Sequence, residues 1–440
     1  MYDVIIIGAG SSGLLAALLL SQTGKKVLVI EKNARSGKKL ALCGGGNCNL
    51  GPVERESEAL YQKYARFSPH PKNGHIRQES VRALKNLFYA YPPSLVEALI
   101  SSTDIIAGSF HGLGIELREE EGRLYPARLD ARAFADELCS RSEKEGAAFR
   151  YSSAVTSVTK NQEGGYMVHF SDAKGGENTV VTAPFVIIAA GGFSYPAVGG
   201  SDCGNGFLSG MGIAVHQGQP AMGPVQVKDY PFTASSGTVI PARINLVSGL
   251  TGATLAASGT DQLLFTHRNL SGPVILDICA SVHECAPEKP VLVIDLLPAL
   301  NREELLASMH KVALEHQGKL SVQLLSSFFP RVLSSTLLEM ADIDPKSLTA
   351  VVPKGAMQKA AALVKGLKLT PVIPTSRHEA MSWTGGCEIS EIDFTTMEAK
   401  KAPGLFVTGD MVAMSRPCGG YSLWFCWTSA IAAAIKIDNY

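Results

Sequence analysis

The chain has 440 residues, of which 46% are hydrophobic and 18% charged. It is too long for one ordinary domain and too apolar for a disordered protein. Forty basic side chains balance forty acidic ones, so no net field draws nucleic acid or an anionic membrane, and the function is expected in a buried cleft. Nine cysteines without regular spacing fit free thiols in a reducing cytoplasm better than a disulfide framework. The apolar runs 14–20 and 423–437 are read as buried structure. No positive segment precedes the first, and the second is interrupted by Thr428 and Ser429 and falls short of the roughly 20 residues that span a bilayer.

Val4–Ile7 is a continuous β-branched run, as expected of a strand buried on both faces of a parallel sheet. It leads into Gly8-Ala9-Gly10-Ser11-Ser12-Gly13. An apolar helix over 14–20 follows, closing near Gly24, and then a second strand, Val27–Ile30, ends at Glu31. Gly8 permits the tight turn, Gly10 lets the backbone approach a pyrophosphate, and Gly13 lets helix and strand pack closely. The helix N-terminus adds N–H groups and partial positive charge. Glu31 suits a ribose diol and repels a 2′-phosphate. Ser12 and Lys32 flank these residues and join them as candidate cofactor contacts. A glycine-rich turn alone says little; inside a βαβ unit of about 30 residues with an acidic second-strand end, it predicts a bound dinucleotide.

The rest of the chain separates NAD from FAD. A buried strand over 186–190 ends in Gly191-Gly192, and a third, Leu405-Phe406-Val407-Thr408, ends in Gly409-Asp410. Gly419-Gly420-Tyr421 and an apolar helix from near Ser422 come next. A carboxylate at a strand end before a helix N-terminus suits a cofactor with a polyol chain and a ring that turns anionic on reduction. Asp410 could bind ribityl hydroxyls, and the helix dipole would stabilise the ring's negative charge by ~1–2 kcal/mol, roughly 20–45 mV for a two-electron couple. Gly-Asp is elsewhere an ordinary turn pair; its place after a buried strand favours the cofactor, FAD.

Six segments together resemble one family. They are YDVIIIGAGSSG at the start, GKKLALCGGGNCN at 37–49, AAGGFSYPAVG at 189–199, LLFTHRNLSGP at 263–273, EAMSWTGGCEISEIDFTTMEAK at 379–400, and GLFVTGDM with GGYSLW over 404–424. They are similar to the bacterial FAD-binding flavoproteins called the aminoacetone oxidase family, which includes enone reductases acting on bile-acid intermediates. Where that family has Arg, Asp and Asn-Leu-Gln, this chain has Asn47, Asn205 and Ser422-Leu423-Trp424, and Leu50-Gly51 replaces Thr-Asn. Lost charges near the flavin leave the substrate open while the cofactor carries over. The resemblance adds further cofactor contacts: Lys39, Gly44, Gly45, Gly46, Asn47 and Cys48; Ala190, Gly191 and Gly192; and Gly409, Asp410, Gly420, Tyr421 and Ser422.

The expected fold class is α/β, a discontinuous Rossmann-like FAD-binding domain (1–195 and 371–440) with an inserted antiparallel β domain (196–300) and a helical cap (301–370). Short β-branched runs with Gly and Pro predict the β domain, as at 237–240, 263–266 and 291–294. Helical periodicity at 303–306, 333–340 and 356–364 predicts the cap. The resemblance places the substrate cleft between the domains.

Four residues are candidates for chemistry. His267 and Arg268 follow a strand and could bind a carbonyl or move a proton; a histidine satisfied in a turn is the equal alternative. Tyr195 could polarise a carbonyl or simply wall the cofactor. Cys48 with Cys43 has C-x4-C spacing, as in flavin disulfide reductases, yet no second nucleotide fold is visible and three glycines separate the thiols. Trp383 and Trp427 are read as core, with Trp424 nearer the flavin end of the last helix. No cluster suggests a metal. The expected activity is hydride transfer between a small organic molecule and flavin N5. It acts either as an amine oxidase or as a C=C reductase with NAD(P)H as diffusible reductant, in the cytoplasm, with oligomeric state left open. A flavin disulfide reductase and a non-catalytic FAD-binding redox sensor remain as alternatives.

Overall fold

The computed structural model describes residues 1–52, 103–120, 122–162, 164–172, 178–373 and 377–440. These divide into two compact units, Met1–Gln219 with Met381–Tyr440, and Pro220–Ala380.

The first unit starts from β1 (Val4–Ile7), buried at every position as its β-branched run requires. α1 (Ser11–Gln22) buries small and aliphatic residues around most of its circumference, the mark of a helix covered on several sides. β2 (Val27–Ile30) returns beside β1 in parallel. α2 (Ala131–Lys144) is opened by Asp130, whose carboxylate accepts from the Ala133 amide at 2.7 Å, a cap worth about 1 kcal/mol. It packs on α1 and delivers β3 (Ala148–Arg150) parallel to β2. An antiparallel meander of Ser153–Lys160, Tyr166–Asp172 and Thr179–Ala183 then carries the chain to β4 (Phe185–Ile188), parallel to β1 on its other side.

The second unit holds an antiparallel sheet. β5 (Val239–Val247) pairs with β6 (Asp261–Phe265), and β6 with β7 (Asn269–Ser271). α3 (Pro273–Glu284) covers the alternating buried face of β5, namely Ile240, Ala242, Ile244 and Leu246. β8 (Val291–Asp295) pairs with β5 and β9 (Leu367–Leu369) with β8. Between these last two lie the helices Arg302–Glu315, Arg331–Met340 and Lys354–Lys365, where periodicity placed them. The first has a capping box: Asn301 accepts from the Glu304 amide at 2.9 Å, and Glu304 accepts from the Asn301 amide at 2.8 Å. α3 differs from expectation, since it lies within the segment 196–300 expected to form an antiparallel β domain. Val274, Ile275, Ile278 and Val282 are β-branched and favour strands locally. Gly272 and Pro273 at the start, and burial at helical spacing, win instead.

The chain then returns to the first unit with β10 (Leu405–Val407), parallel to β4, and α4 (Tyr421–Asp438), which packs on α1. Among the described residues the sheet is seven-stranded, in the order Ile392–Asp393, Glu398–Ala399, β10, β4, β1, β2, β3, with the first two strands antiparallel. The chain lays down β1, β2 and β3 to one side before crossing to β4 on the other. That reversal between β1 and β4 opens a crevice at the strands' carboxyl ends, where ligands bind in such sheets. Trp427 of α4 is wholly buried, edge-on to Phe110 at 5.5 Å and Phe134 at 6.1 Å. Among the described residues no helix is long and apolar enough to cross a membrane.

Candidate functional site

The glycines of the first turn divide into two kinds. Gly8 has φ +103°, and a side-chain carbon there would lie 2.5 Å from the Ala189 carbonyl oxygen; one at Gly13 would collide with the Gly8 carbonyl oxygen. Those two positions lock β1, β4 and α1 together. Gly10 faces nothing within 4 Å, although it caps α1 and no side chain caps that helix start. An uncapped helix N-terminus behind open space is the donor set and the room a pyrophosphate needs. Gly191, Gly45 and Gly46 likewise face nothing within 4 Å.

Glu31 is buried, and protein groups already occupy much of its carboxylate. Oε2 accepts from the Ala9 amide at 2.7 Å, and Oε1 from the Asn33 amide at 2.8 Å and its side-chain nitrogen at 2.6 Å. Glu31 therefore braces the turn as well as retaining acceptor capacity for a hydroxyl. Lys32 donates to Ser201 Oγ at 2.9 Å. Ser12 turns inward: its hydroxyl accepts from Thr408 Oγ1 at 3.1 Å, and a carbon at Gly409 would sit 2.9 Å from it. It ties the turn to the end of β10.

The chemistry-bearing groups converge at the ends of β4 and β10. Lys39 Nζ donates to Asp410 Oδ2 at 2.9 Å and to Ser194 Oγ at 2.6 Å. Arg416 Nη1 donates to the other oxygen of Asp410 at 3.1 Å, and Nη2 to the carbonyls of Gly409 at 3.1 Å and Val412 at 3.3 Å. The Arg416 guanidinium is buried and stacks 4.6 Å from the Phe425 ring centroid. Burial alone would push Asp410 up, but the charges of Lys39 and Arg416 outweigh it and hold the carboxyl below its usual range. Gly192 approaches the same aspartate, with a carbon there 3.3 Å from the Asp410 carbonyl oxygen. Ala190 packs beside Gly204, where an added carbon would lie 3.4 Å from Ala190 Cβ.

Tyr195 sits in the left-handed region at φ 53°, ψ 63°, a conformation that costs a non-glycine residue about 1–2 kcal/mol. Burial raises its phenol, and Lys39 pulls the other way. Residues 43–46 and 48 form a loop of unusual backbone: Gly44, Gly45, Gly46 and Cys48 all have positive φ, and Asn47 is exposed. The Cys48 amide donates to the Cys43 carbonyl at 3.1 Å. Both thiols are reduced; burial pushes Cys43 up to about 11 and Cys48 further still. Gly420 caps α4 at φ +94°, and a carbon there would come 2.5 Å from Asn49 Oδ1. Tyr421 stacks edge-on with Trp424 at 5.8 Å, while Ser422 is half-buried in the first turn.

His267 and Arg268 are not among the groups the first unit gathers. They occupy an exposed turn of the second unit between β6 and β7, closed by Thr266 Oγ1 donating to the Asn269 carbonyl at 2.8 Å. Arg268 pairs with Glu379 at 2.9 Å. Sequence reasoning missed Arg416 and Ser194. A lone arginine in a loop carries no periodic or spacing signal. Its only hint is its place between Gly409-Asp410 and Gly419-Gly420.

The open approach at Gly10, the uncapped helix behind it and the polar groups at the strand ends fit FAD. Comparison with known proteins points the same way. The family model described as HI0933-like protein Rossmann domain matches residues 2–436. The ribosomal RNA dihydrouridine synthase of Escherichia coli is 26% identical over 436 residues, covering 98% of this chain and 97% of that protein. The 3-dehydro-bile acid delta(4,6)-reductase of Clostridium scindens is 23% identical over 437 residues, covering 98% of each. Among solved structures, the 3-ketosteroid delta1-dehydrogenase from Sterolibacterium denitrificans shares the fold. Its TM-score is 0.55 at 13% identity, covering 100% of this chain and 99% of that one. The chain belongs to the HI0933-like family of FAD-binding Rossmann proteins and is an FAD-dependent oxidoreductase.

Proposed function

We propose that this flavoprotein is a reductase that saturates a carbon–carbon double bond conjugated to a carbonyl, with NAD(P)H as a diffusible reductant. The observation that carries the reading is charge. One carboxylate, Asp410, faces two cations, Lys39 and Arg416, so the cluster is net positive. Hydride addition to the β-carbon of an enone leaves negative charge on the carbonyl oxygen, which such a cluster stabilises. Hydride removal from an amine leaves a cationic iminium, which it opposes. A unit charge at about 6 Å is worth ~3 kcal/mol at an effective dielectric of ~20, enough to favour the reductase over the amine oxidase. One relative is named as a dihydrouridine synthase and another as a delta(4,6)-reductase, and both names describe reduction, which supports the same direction.

FAD, when bound, would supply the hydride from its N5. In this reading Gly10 and the α1 N-terminus would hold its pyrophosphate in a turn shaped by Gly8 and Gly13, Glu31 would hold a ribose hydroxyl, and Asp410 with Lys39 the polyol and ring end. Tyr195, kept protonated by burial, is a hydrogen-bond donor at neutral pH. The dithiol alternative requires a thiolate, and Cys43 and Cys48 are both held protonated.

The substrate we propose is a small ring enone, which a chain of balanced charge admits without an electrostatic field. A uracil base within RNA is the second reading, favoured by the relative named for ribosomal RNA and its coverage of 98% of this chain. The test is anaerobic. The purified protein is reduced with NADH or NADPH, then mixed with cyclohexenone or with a uridine-containing RNA, and the flavin absorbance is followed. Bleaching and its return on adding either acceptor support the reductase. Bleaching by a primary amine with recovery in oxygen, and no response to either acceptor, overturns it.

A further inference from the structure

Lys39 is the part of the cluster with capacity left over. An ammonium has three N–H donors. Two are committed at short range, to Ser194 Oγ at 2.6 Å and Asp410 Oδ2 at 2.9 Å. Both acceptors are themselves fixed. Ser194 is fully buried and donates onward to the Met381 carbonyl at 3.2 Å, while Asp410 is gripped from its other oxygen by Arg416. The side chains of Asp410 and Arg416 are 13% and 1% exposed, whereas that of Lys39 keeps 28%. The more exposed cation of the cluster is therefore held by two anchored acceptors, and among the described residues it has one donor unspent.

A lysine serving only to neutralise Asp410 would not need this arrangement, because Arg416 alone balances the carboxylate. The surplus is a full positive charge, immobilised at two points, with its third N–H unclaimed among the described residues. We propose that Lys39 is an oxyanion anchor: it donates to an sp2 oxygen that gains negative charge during the reaction. This rests on the reductase reading. When hydride reaches the β-carbon of an enone, the C=C pair moves toward the carbonyl and the oxygen becomes an enolate. The α-carbon then takes a proton from water, so one hydride and one proton account for the saturated product. Lys39 keeps its own proton throughout and stabilises the charged oxygen by a charge-assisted bond. The same chemistry is offered by a carbonyl of the flavin ring itself, which also gains charge on reduction.

The two sources separate in one set of measurements on the full-length holoprotein. The variants are Lys39→Met, Lys39→Arg and, as a control on the exposed end of α2, Lys144→Met. The probe for an oxyanion is para-nitrophenolate, titrated by its own absorbance. The flavin arm is the midpoint potential of the bound FAD without any substrate. Lys39→Met is expected to weaken phenolate binding about tenfold if the oxygen belongs to the substrate. If it belongs to the flavin, the reduced form loses about tenfold in relative affinity, a fall of ~30 mV for a two-electron couple. Lys39→Arg should recover most of either effect because it restores charge and donor. Lys144→Met should leave both readings at wild-type values. Unchanged phenolate affinity and unchanged potential in Lys39→Met, with FAD still bound, overturn the proposal. So does a loss in Lys39→Met that Lys39→Arg fails to restore. A wild-type protein that contains no FAD sinks the cofactor reading instead, and the phenolate titration can still be made on it.

Discussion

Gly10 and Gly13 lie three residues apart in one turn, yet their replacement by alanine should do opposite things. At Gly13 the new carbon meets the backbone oxygen of Gly8. Backbone cannot rotate away, so Gly13→Ala should destabilise the FAD-free protein by ~1–3 kcal/mol. At Gly10 the backbone is ordinary extended conformation, φ −82° and ψ −166°, and the new carbon meets nothing within 4 Å. Losing a glycine's unfolded-state freedom gains about 0.4–1 kcal/mol, and alanine is a poorer N-cap by a comparable amount. The FAD-free protein should therefore hardly change. The cost falls on the ligand, because the carbon fills the approach to the helix N-terminus. With FAD at a hundred times the wild-type dissociation constant, wild type gains ~2.7 kcal/mol, while a variant binding a hundredfold more weakly gains only ~0.4 kcal/mol. Urea unfolding of both variants, with and without FAD, reads all four numbers. Full FAD stabilisation in Gly10→Ala would refute the assignment of this turn to the pyrophosphate. A destabilised FAD-free Gly10→Ala would refute the claim that the space is open.

Arg416→Ala leaves Asp410 buried with one partner fewer and should cost ~3–5 kcal/mol, measured by denaturant unfolding; a loss under 1 kcal/mol would mean the guanidinium is not the clamp described. Asp410 is depressed below its ordinary 3.8 in the folded state. Its contribution is thus fully present above that value and lost as pH falls through the lower folded value. Asp410→Asn should flatten this acid limb of the stability profile, and an unchanged limb would contradict the ion-pair account. Cys43 is pushed up to about 11, so alkylation of this thiol in the folded protein should stay slow at neutral pH and accelerate only near that value. Cys43→Ser should still be reduced by NAD(P)H, and loss of that reduction would revive the dithiol mechanism. Trp427→Ala empties the site between Phe110 and Phe134 and should cost ~3–5 kcal/mol; a thermal shift too small for that would mean the pocket collapses around the gap.

Much of the nucleotide fold was legible because its residues obey local rules. Val4–Ile7 and Val27–Ile30 could be bounded to the residue, since each buried apolar run ends at a glycine or a carboxylate with a fixed geometric task. The end of β10 at Gly409-Asp410 and the start of α4 after Gly419-Gly420 were legible for the same reason. α3 was not, because β-branched side chains prefer strands until tertiary packing on β5 overrides them. Arg416 was not, because its role depends on Asp410, Gly409 and Phe425 meeting in space. Glu31 was read toward a ligand alone, whereas folding first spends its oxygens on Ala9 and Asn33. His267 and Arg268 drew attention as an adjacent pair of chemical side chains. Their turn is exposed and Arg268 is engaged with Glu379, which no spacing rule reveals.

The most direct test of the central claim is a single anaerobic experiment on the purified protein. Its flavin is quantified, reduced with NADPH or NADH, and then challenged with cyclohexenone. Bound FAD that bleaches and is reoxidised in step with formation of the saturated ketone is the predicted result. FAD that is reduced by an amine and reoxidised only by oxygen would contradict the reductase, and protein without FAD would contradict the site on which it rests.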